Sequence, residues 1–224
     1  MGRQKLIRFE TNAQRENVIE PGKEIFSTIK GNWRAYFKNE NPIVLEVGCG
    51  RGEYTVGLAP LFPEKNFVGT DIKGSRIWKG STIAFEKNYK NVAFLRIKIQ
   101  NIEEFFDKGE VNEIWITFPD PRPKDKDERR RLTNPRFLEI YKNLLAPGGI
   151  IHFKTDSISL FEYTLELLQN PEFAEKFGIK DLVFSKDLYN SDLQSEHYGI
   201  TTTYERKFLA KGIETINYLR FKFD

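Results

Sequence analysis

The chain has 224 residues, enough for one domain with a sizeable core, and a mild formal charge of +3. Its 39% hydrophobic and 30% charged residues exclude a disordered tail, and no apolar run approaches the roughly 20 residues that span a bilayer. One cysteine and two histidines exclude an internal disulfide and argue against a zinc site, so we expect a cytoplasmic protein without a metal or a membrane partner.

The first part of the chain has little hydrophobic periodicity. Residues 1–20 are polar and are expected to form a leader that is either loose or ordered by a partner, whereas residues 23–38 show helical spacing that Gly31 weakens. We therefore expect an N-terminal leader and helix over residues 1–40, followed by the main domain over residues 41–224.

From residue 42 onward, strand and helix patterns alternate. Strands are predicted at 42–47, 66–70, 91–99, 112–118 and 150–155, and helices at 54–61, 75–88, 101–107, 134–145 and 158–169. The tail is predicted as further strands at 180–188 and 202–223, with Tyr218, Phe221 and Phe223 in the sheet core. The alternation predicts an α/β fold with an open, doubly wound, mostly parallel sheet, to which the tail adds antiparallel strands.

A glycine cluster follows the first predicted strand, over residues 48–52, and Glu46 lies just before it. Its spacing is G-x-G-x-G, whereas G-x-G-x-x-G holds a dinucleotide pyrophosphate. The Glu46 carboxylate would repel a pyrophosphate but suits a cationic ligand. Asp71 lies about 20 residues further on, where a carboxylate can accept hydrogen bonds from ribose hydroxyls. The pattern predicts an adenosyl ligand, either S-adenosylmethionine or NAD. The alternative is a plain strand–helix turn in which Cys49 is only a small loop residue.

The strand predicted at 112–118 ends in a proline-rich loop, F-P-D-P-R-P-K at residues 118–124. Prolines fix φ and remove backbone donors, so this loop is expected to form a stiff lip that holds Asp120 in place. Position is most of what methyl transfer requires, since the reaction is an in-line displacement from sulfur. The alternative is a surface loop whose aspartate caps a neighbouring group.

A run of mixed charge follows the proline-rich loop, K-D-K-D-E-R-R-R at residues 124–131. Arg129, Arg130 and Arg131 lie beside the expected site, and arginines in this position are suited to pairing with the phosphates of RNA. The alternative is a solvated helix face, which is how mixed charge runs are commonly used.

Five motifs together resemble the bacterial tRNA (guanine-N7)-methyltransferases. They are E-V-G-C-G-R-G at 46–52, F-P-D-P-R-P-K at 118–124, R-R-R-L at 129–132, H-F-K-T-D at 152–156 and T-T-Y-E at 202–205. The resemblance covers the chain from Pro42 onward and implies a Rossmann-like class I methyltransferase fold with an antiparallel C-terminal strand. It further implies transfer of a methyl group from S-adenosylmethionine to guanine 46 in the variable loop of tRNA.

The resemblance also implies roles for individual residues. The cofactor would be bound by Glu46, Gly48, Gly50, Asp71, Lys98 and Asp120, with Asp120 the catalytic position. The substrate guanosine would be bound by Lys124, Asp156, Thr202, Thr203, Tyr204 and Glu205, and RNA by Lys126, Arg129, Arg130 and Arg131. The sequence departs from the family at Arg122, where tryptophan is usual, and at Lys98, where an acidic or amide residue is usual.

Three alternatives remain open at this stage. They are an NAD-dependent oxidoreductase, a non-catalytic RNA-binding module on a methyltransferase scaffold, and a small-molecule methyltransferase. His152 and His197 are expected to be structural or solvent-facing, because N7 methylation has no obvious proton to move. The chain is expected to be a monomer or a homodimer with tRNA as its partner.

Overall fold

One eight-stranded sheet organises the part of the chain that the structure describes, residues 2–212 and 215–224 of a computed structural model. The strands are β1 (Val18–Ile19), β2 (Ile43–Val47), β3 (Asn66–Asp71), β4 (Val92–Arg96), β5 (Val111–Thr117), β6 (Leu145–Thr155), β7 (Ile179–Ser185) and β8 (Asn217–Phe223). Their spatial order is β1-β4-β3-β2-β5-β6-β8-β7. The strand β8 runs antiparallel to β6 and β7, and the other pairs are parallel, which confirms the predicted fold class.

Helices cover both faces of this sheet. Those described are α1 (Arg3–Gln14), α2 (Glu24–Thr28), α3 (Trp33–Phe37), α4 (Glu53–Leu58), α5 (Gly74–Glu86), α6 (Pro135–Leu144), α7 (Ile158–Gln169), α8 (Pro171–Phe177) and α9 (Thr203–Leu209). Short 3-10 helices lie at Ile99–Glu104, Asp125–Arg130, Leu188–Asn190 and Gln194–His197. Within the described residues, no helix has both the length and the apolar character needed to cross a membrane.

Alternating side chains of the sheet point to opposite faces and pack in two hydrophobic cores. Ile43 and Leu45 of β2 pack in the core that contains α3, α6 and α7. Val44, between them, belongs to the core with α4 and α5 on the opposite face. Because both faces are covered, all five residues of β2 are buried, which explains its continuous apolar run. Glu46 is the one charged residue in this run, and it is buried like its neighbours.

Two segments differ from the prediction near the N-terminus. The expected loose leader is wrong, because residues 3–14 form α1, which packs on α5, and β1 adds a strand beside β4. The helix expected over 23–38 is divided into α2 and α3 at Gly31, which adopts a φ of +71°. This backbone conformation favours glycine and ends the helical hydrogen bonding between the two segments.

The C-terminal prediction is half right. Tyr218, Phe221 and Phe223 are buried in β8 as expected. Residues 203–209 are a helix where a strand was predicted, because Thr202 and Glu205 form a capping box that starts α9. The positions 213 and 214 within that predicted strand lie outside the described residues, as does residue 1 of the leader.

Candidate active site

A cavity of about 760 Å³ opens at the carboxyl ends of the central strands. The chain leaves β2 towards β3 on one side and reaches β5 on the other, so this edge is a switch point in strand order, where ligands of such sheets bind. Loops after β2, β3, β4, β5 and β6 line the cavity, together with the start of α9. Six segments that are far apart in sequence therefore meet at one cavity.

The glycine cluster forms the turn between β2 and α4. Gly48, Gly50 and Gly52 have φ values of +68°, +55° and +70°, a region that favours glycine. A Cβ on Gly52 would lie 2.4 Å from a ring atom of Phe94, so this position has neither the backbone freedom nor the space for a side chain. Gly48 and Gly50 line the cavity, which leaves backbone groups accessible where side chains would otherwise project.

Glu46 lies at the base of the cavity and is only 4% exposed. Its carboxylate accepts hydrogen bonds from the Thr55 amide, at 2.8 Å, and from the Thr117 hydroxyl, at 3.0 Å. Burial raises the pKa of Glu46 to about 7, although these hydrogen bonds oppose the rise. A positive group beside it would favour the ionised carboxylate.

Asp71, at the end of β3, braces the glycine cluster. Its carboxylate accepts from the backbone amide of Gly50, at 3.0 Å, and from that of Lys73, at 2.7 Å. It also lines the cavity, where its remaining lone pairs can accept hydroxyl groups. Lys98 is exposed and lies on the cavity wall with its neighbours Ile99 and Gln100.

Asp120 lies on the proline-rich lip, and its side chain is 82% exposed. The lip is bent sharply, since Phe118 and Arg122 both have positive φ values, +47° and +48°. The Arg122 guanidinium folds back onto the Asp120 carboxylate, with Nη2 3.2 Å from Oδ2. Arg122 is therefore an ion-pair partner of the predicted catalytic carboxylate.

Arg131 holds this lip against the helices behind it. Its Nε donates to the Arg122 carbonyl at 3.2 Å, and its guanidinium lies 4.3 Å from the centre of the Tyr163 ring on α7. The Tyr163 hydroxyl donates to Glu128 at 2.7 Å. Half-buried contacts of this kind give Arg131 a role within the fold that differs from the expected RNA contact.

The rest of the charged run is more accessible. Arg129 and Arg130 are exposed and line the cavity, and Arg130 also pairs with Asp127 at 3.0 Å. Lys124 and Lys126 are exposed beside the cavity lining.

The segment at residues 202–205 divides between the cavity and the core. Thr202 and Tyr204 line the cavity, and Asp156 after β6 joins them, its pKa raised by burial. Thr203 turns away, and both its amide and its hydroxyl donate to Glu53. This N-cap segment therefore presents alternate residues to the site.

Glu205 is fully buried and does not line the cavity, which differs from the expected substrate contact. Its carboxylate lies 2.6 Å from the Lys154 ammonium and also contacts the Tyr189 hydroxyl and His197 Nε2. These cationic and hydrogen-bond partners lower the pKa of Glu205 to about 2. Lys154, in turn, donates to the Tyr54 hydroxyl at 2.9 Å.

The sequence analysis assigned no role to Lys154, the buried partner of Glu205. Its signal was a lysine inside the apolar strand I-I-H-F-K-T, at a position that the sheet buries completely. It also missed three arginines that line the cavity: Arg51, to which no role was given although it lies within the glycine motif, and Arg76 and Arg136, which lie outside the motifs.

The two histidines are engaged with other side chains of the protein, and Cys49 is buried in the glycine turn that lines the cavity. His152 stacks on Trp115 at 4.0 Å, and burial lowers its pKa to about 4. His197 contacts Glu205 in the core. Burial raises the pKa of the Cys49 thiol. Among the described residues, no group of three or more His, Cys, Asp or Glu side chains could hold a metal ion.

The fold is similar to that of solved class I methyltransferases. The solved 16S rRNA methyltransferase KamB has a TM-score of 0.63 and 19% identity, over 85% of this chain and 91% of that chain. The 30S ribosomal A1408 methyltransferase from an uncultured bacterium has a TM-score of 0.59 and 16% identity, over 87% and 93%. At these identities the likeness concerns the fold alone.

Sequence relatives then give the family. The family described as "Putative methyltransferase" matches residues 40–218. The tRNA (guanine-N(7)-)-methyltransferase of Cytophaga hutchinsonii is 53% identical over 223 residues, covering 100% of this chain and 99% of its own length. Proteins of the same name from Christiangramia forsetii and Listeria monocytogenes are 48% and 42% identical, covering 97% and 87% of this chain and 97% and 86% of their own lengths.

The chain therefore belongs to the family of tRNA (guanine-N(7)-)-methyltransferases. The full-length match corrects one expectation, because the similarity includes the N-terminal segment and does not begin at Pro42. These relatives support neither the oxidoreductase nor the non-catalytic alternative.

Proposed function

We propose that this chain transfers the methyl group of S-adenosylmethionine to N7 of a guanine in tRNA. The name shared by its relatives supports the reaction. The observation that carries the proposal is that four neighbouring strands, β3, β2, β5 and β6, each bring a carboxylate to one cavity: Asp71, Glu46, Asp120 and Asp156.

The site fits a methyl donor that carries positive charge. The positive-φ glycines remove side chains from the cavity wall, and Asp71 retains lone pairs for hydroxyl donors. Burial raises the pKa of Glu46 to about 7, so a bound cation would favour the ionised form of its carboxylate. We assign Glu46, Gly48, Gly50, Asp71, Lys98 and Asp120, all of which line the cavity, to this ligand.

When bound, S-adenosylmethionine supplies an electrophilic methyl group on a positively charged sulfur, which the N7 lone pair of guanine can accept without first losing a proton. The methylated base gains positive charge. The Asp120 carboxylate can favour that charge and can accept hydrogen bonds from the N1–H and N2–H donors of the base. Arg122 restrains this carboxylate in the free protein, so less freedom is lost when the base arrives.

The remaining assignments divide by accessibility. We propose Asp156, Thr202 and Tyr204 as guanosine contacts, because they line the cavity with Asp120. Thr203 and Glu205 are proposed to hold that segment in position, because their polar atoms are engaged inside the protein. Lys124, exposed beside the cavity, is proposed as a further guanosine contact, and cations for RNA phosphates would come from Lys126, Arg129 and Arg130, all exposed.

The finer parts of the proposal rest on the family resemblance. They are the target position, guanine 46 in the variable loop, a cytoplasmic location, and a main domain over residues 41–224 preceded by an N-terminal segment over 1–40. A monomer or a homodimer would satisfy the site, because every proposed contact comes from one chain.

Methyl transfer from labelled S-adenosylmethionine to an unmodified tRNA transcript, followed by nucleoside analysis, tests the proposal. We expect 7-methylguanosine, and none with a transcript that carries adenine at position 46. Asp120→Ala is expected to abolish transfer while the methyl donor still binds with reduced affinity, and Asp125→Ala, an exposed carboxylate on the adjacent 3-10 helix, serves as the control. A wild-type product without 7-methylguanosine overturns the reaction. Normal turnover by Asp120→Ala removes that residue from it.

A further inference from the structure

The N-terminal helix α1 projects beyond the sheet. Its Asn12 amide donates to the Gly74 carbonyl at the start of α5, at 2.8 Å. One turn later, the Arg15 guanidinium donates to Ser81, at 2.9 Å, and to Thr82, at 2.6 Å. The two helices therefore run in the same direction, and the residues before Asn12 extend past the first turn of α5.

The projecting part lies at the edge where the cavity opens. The helix α5 begins just after β3, at the carboxyl edge of the sheet, and its N-cap Lys73 and first-turn residue Arg76 line the cavity. With a rise of about 1.5 Å per residue, Arg3 lies roughly 13 Å along the α1 axis from the level of Asn12. The first two turns of α1 therefore form an arm, residues 2–9, beside the cavity mouth.

The arm is firmly mounted at its base and free at its tip. Phe9 packs under the Arg96 guanidinium, 4.9 Å from the ring centre, and its ring lies close to Gly74. Towards the tip, Arg3 and Lys5 are exposed, and Leu6 and Ile7 are 48% and 50% exposed. Core packing therefore does not account for the tip of this helix.

The charge of the arm has one sign. Arg3, Lys5 and Arg8 lie within residues 2–9, and the first acidic residue is Glu10. Among the residues that the structure describes, no ion pair involves Arg3, Lys5 or Arg8, and the Arg8 guanidinium lies 4.9 Å from the centre of the Trp78 ring. Three cations without an anion disfavour pairing with a second copy of the same arm and suit a polyanion.

The arm and the exposed arginines are attached to strands on opposite sides of the cavity. The arm precedes β1, and the exposed arginines Arg129 and Arg130 follow β5. Four strand spacings separate β1 from β5, which amounts to about 19 Å. An extended phosphate backbone could therefore contact both flanks while one of its bases occupies the cavity.

We propose that the arm is a second tRNA-contacting surface, which binds the sugar–phosphate backbone on the side of the target guanine opposite the arginines. The proposal rests on tRNA being the substrate, as proposed above, and adds a surface to which the motifs assign no role. Its cations contact phosphates, so the contribution is electrostatic and independent of base sequence.

Arg3→Gln/Lys5→Gln tests the arm, because both side chains are exposed and the fold should not depend on them. The matched control is Lys90→Gln/Lys108→Gln, which removes the same charge at the amino edge of the sheet, before β4 and β5. For each variant, the Kd for tRNA is measured by fluorescence anisotropy at several salt concentrations, without a methyl donor. The KM for tRNA and the kcat are measured separately.

We expect the arm variant to raise the Kd and the KM for tRNA several-fold and to reduce the slope of log Kd against log salt by about 2, about 1 for each lost phosphate contact. The kcat at saturating tRNA and the affinity for S-adenosylmethionine should stay unchanged. An arm variant that matches the control in Kd and slope overturns the proposal. So does a change in oligomeric state without a change in tRNA binding, because the occupant is then a second copy. Since binding is measured without catalysis, failure of the methyl-transfer proposal is separable from failure of the arm.

Discussion

Removing the charge of Glu205 is expected to destabilise the protein by several kcal/mol. Glu205 and Lys154 are both 0% exposed, and their charged atoms lie 2.6 Å apart. Glu205→Gln keeps the shape and an acceptor oxygen but leaves the buried Lys154 ammonium without a counter-charge. Breaking one side of a buried pair costs about 3–5 kcal/mol, because the remaining charge stays desolvated.

This destabilisation can be measured as a decrease in the melting temperature, Tm. In a domain of this size, each kcal/mol shifts the Tm by about 2–4 °C, so the variant should melt roughly 6–20 °C below the wild type. The pKa of Glu205 is lowered to about 2, so the wild type should lose the same contribution as the pH falls from 4.5 towards 2. The variant has no carboxylate at this position and should lack that acid-dependent loss.

Thermal unfolding followed by circular dichroism measures the effect for Glu205→Gln, Lys154→Met and the double variant. The double variant should be less destabilised than the sum of the two single changes, because it leaves no unpaired charge in the core. Glu139→Gln, an exposed carboxylate on α6, is the control. A Tm for Glu205→Gln within about 2 °C of the wild type, or strictly additive single effects, would refute the reasoning.

Two further predictions concern the site. Arg131→Gln should lower kcat by roughly tenfold to a hundredfold, because the lip that carries Asp120 loses its anchor, with the salt slope of KM unchanged. Arg129→Gln should instead raise KM and reduce that slope by about 1, so equal slopes for the two variants would contradict this division. Affinity for S-adenosylmethionine should be about fivefold weaker at pH 6 than at pH 7, because the pKa of Glu46 is raised to about 7 in the free protein. Calorimetric titration with Glu46→Gln as the control measures this, and a pH-independent wild-type affinity would show that ionised Glu46 is not required.

The sequence by itself determined the features that depend on neighbours along the chain. Asn134 caps α6 with Pro135 in its first turn, as the local pattern predicts. The glycine spacing and the alternation of strands and helices likewise predict the turn after β2 and the parallel sheet. Even α9, predicted as strand, was encoded locally, since T-T-Y-E is the pattern of a capping box.

Only the tertiary structure decided where charged side chains point. Arg129 and Arg131 belong to one run, yet Arg129 faces the cavity, while Arg131 stacks on Tyr163, more than thirty residues further along the chain. Glu205 belongs to the same motif as Thr202, but its side chain points into the core, where it pairs with Lys154 of β6. A charge run or a short motif specifies which charged groups are available. Their partners lie on other strands and helices. Because an exposed side chain rotates at low cost, the position of those partners in the fold decides which way each side chain points.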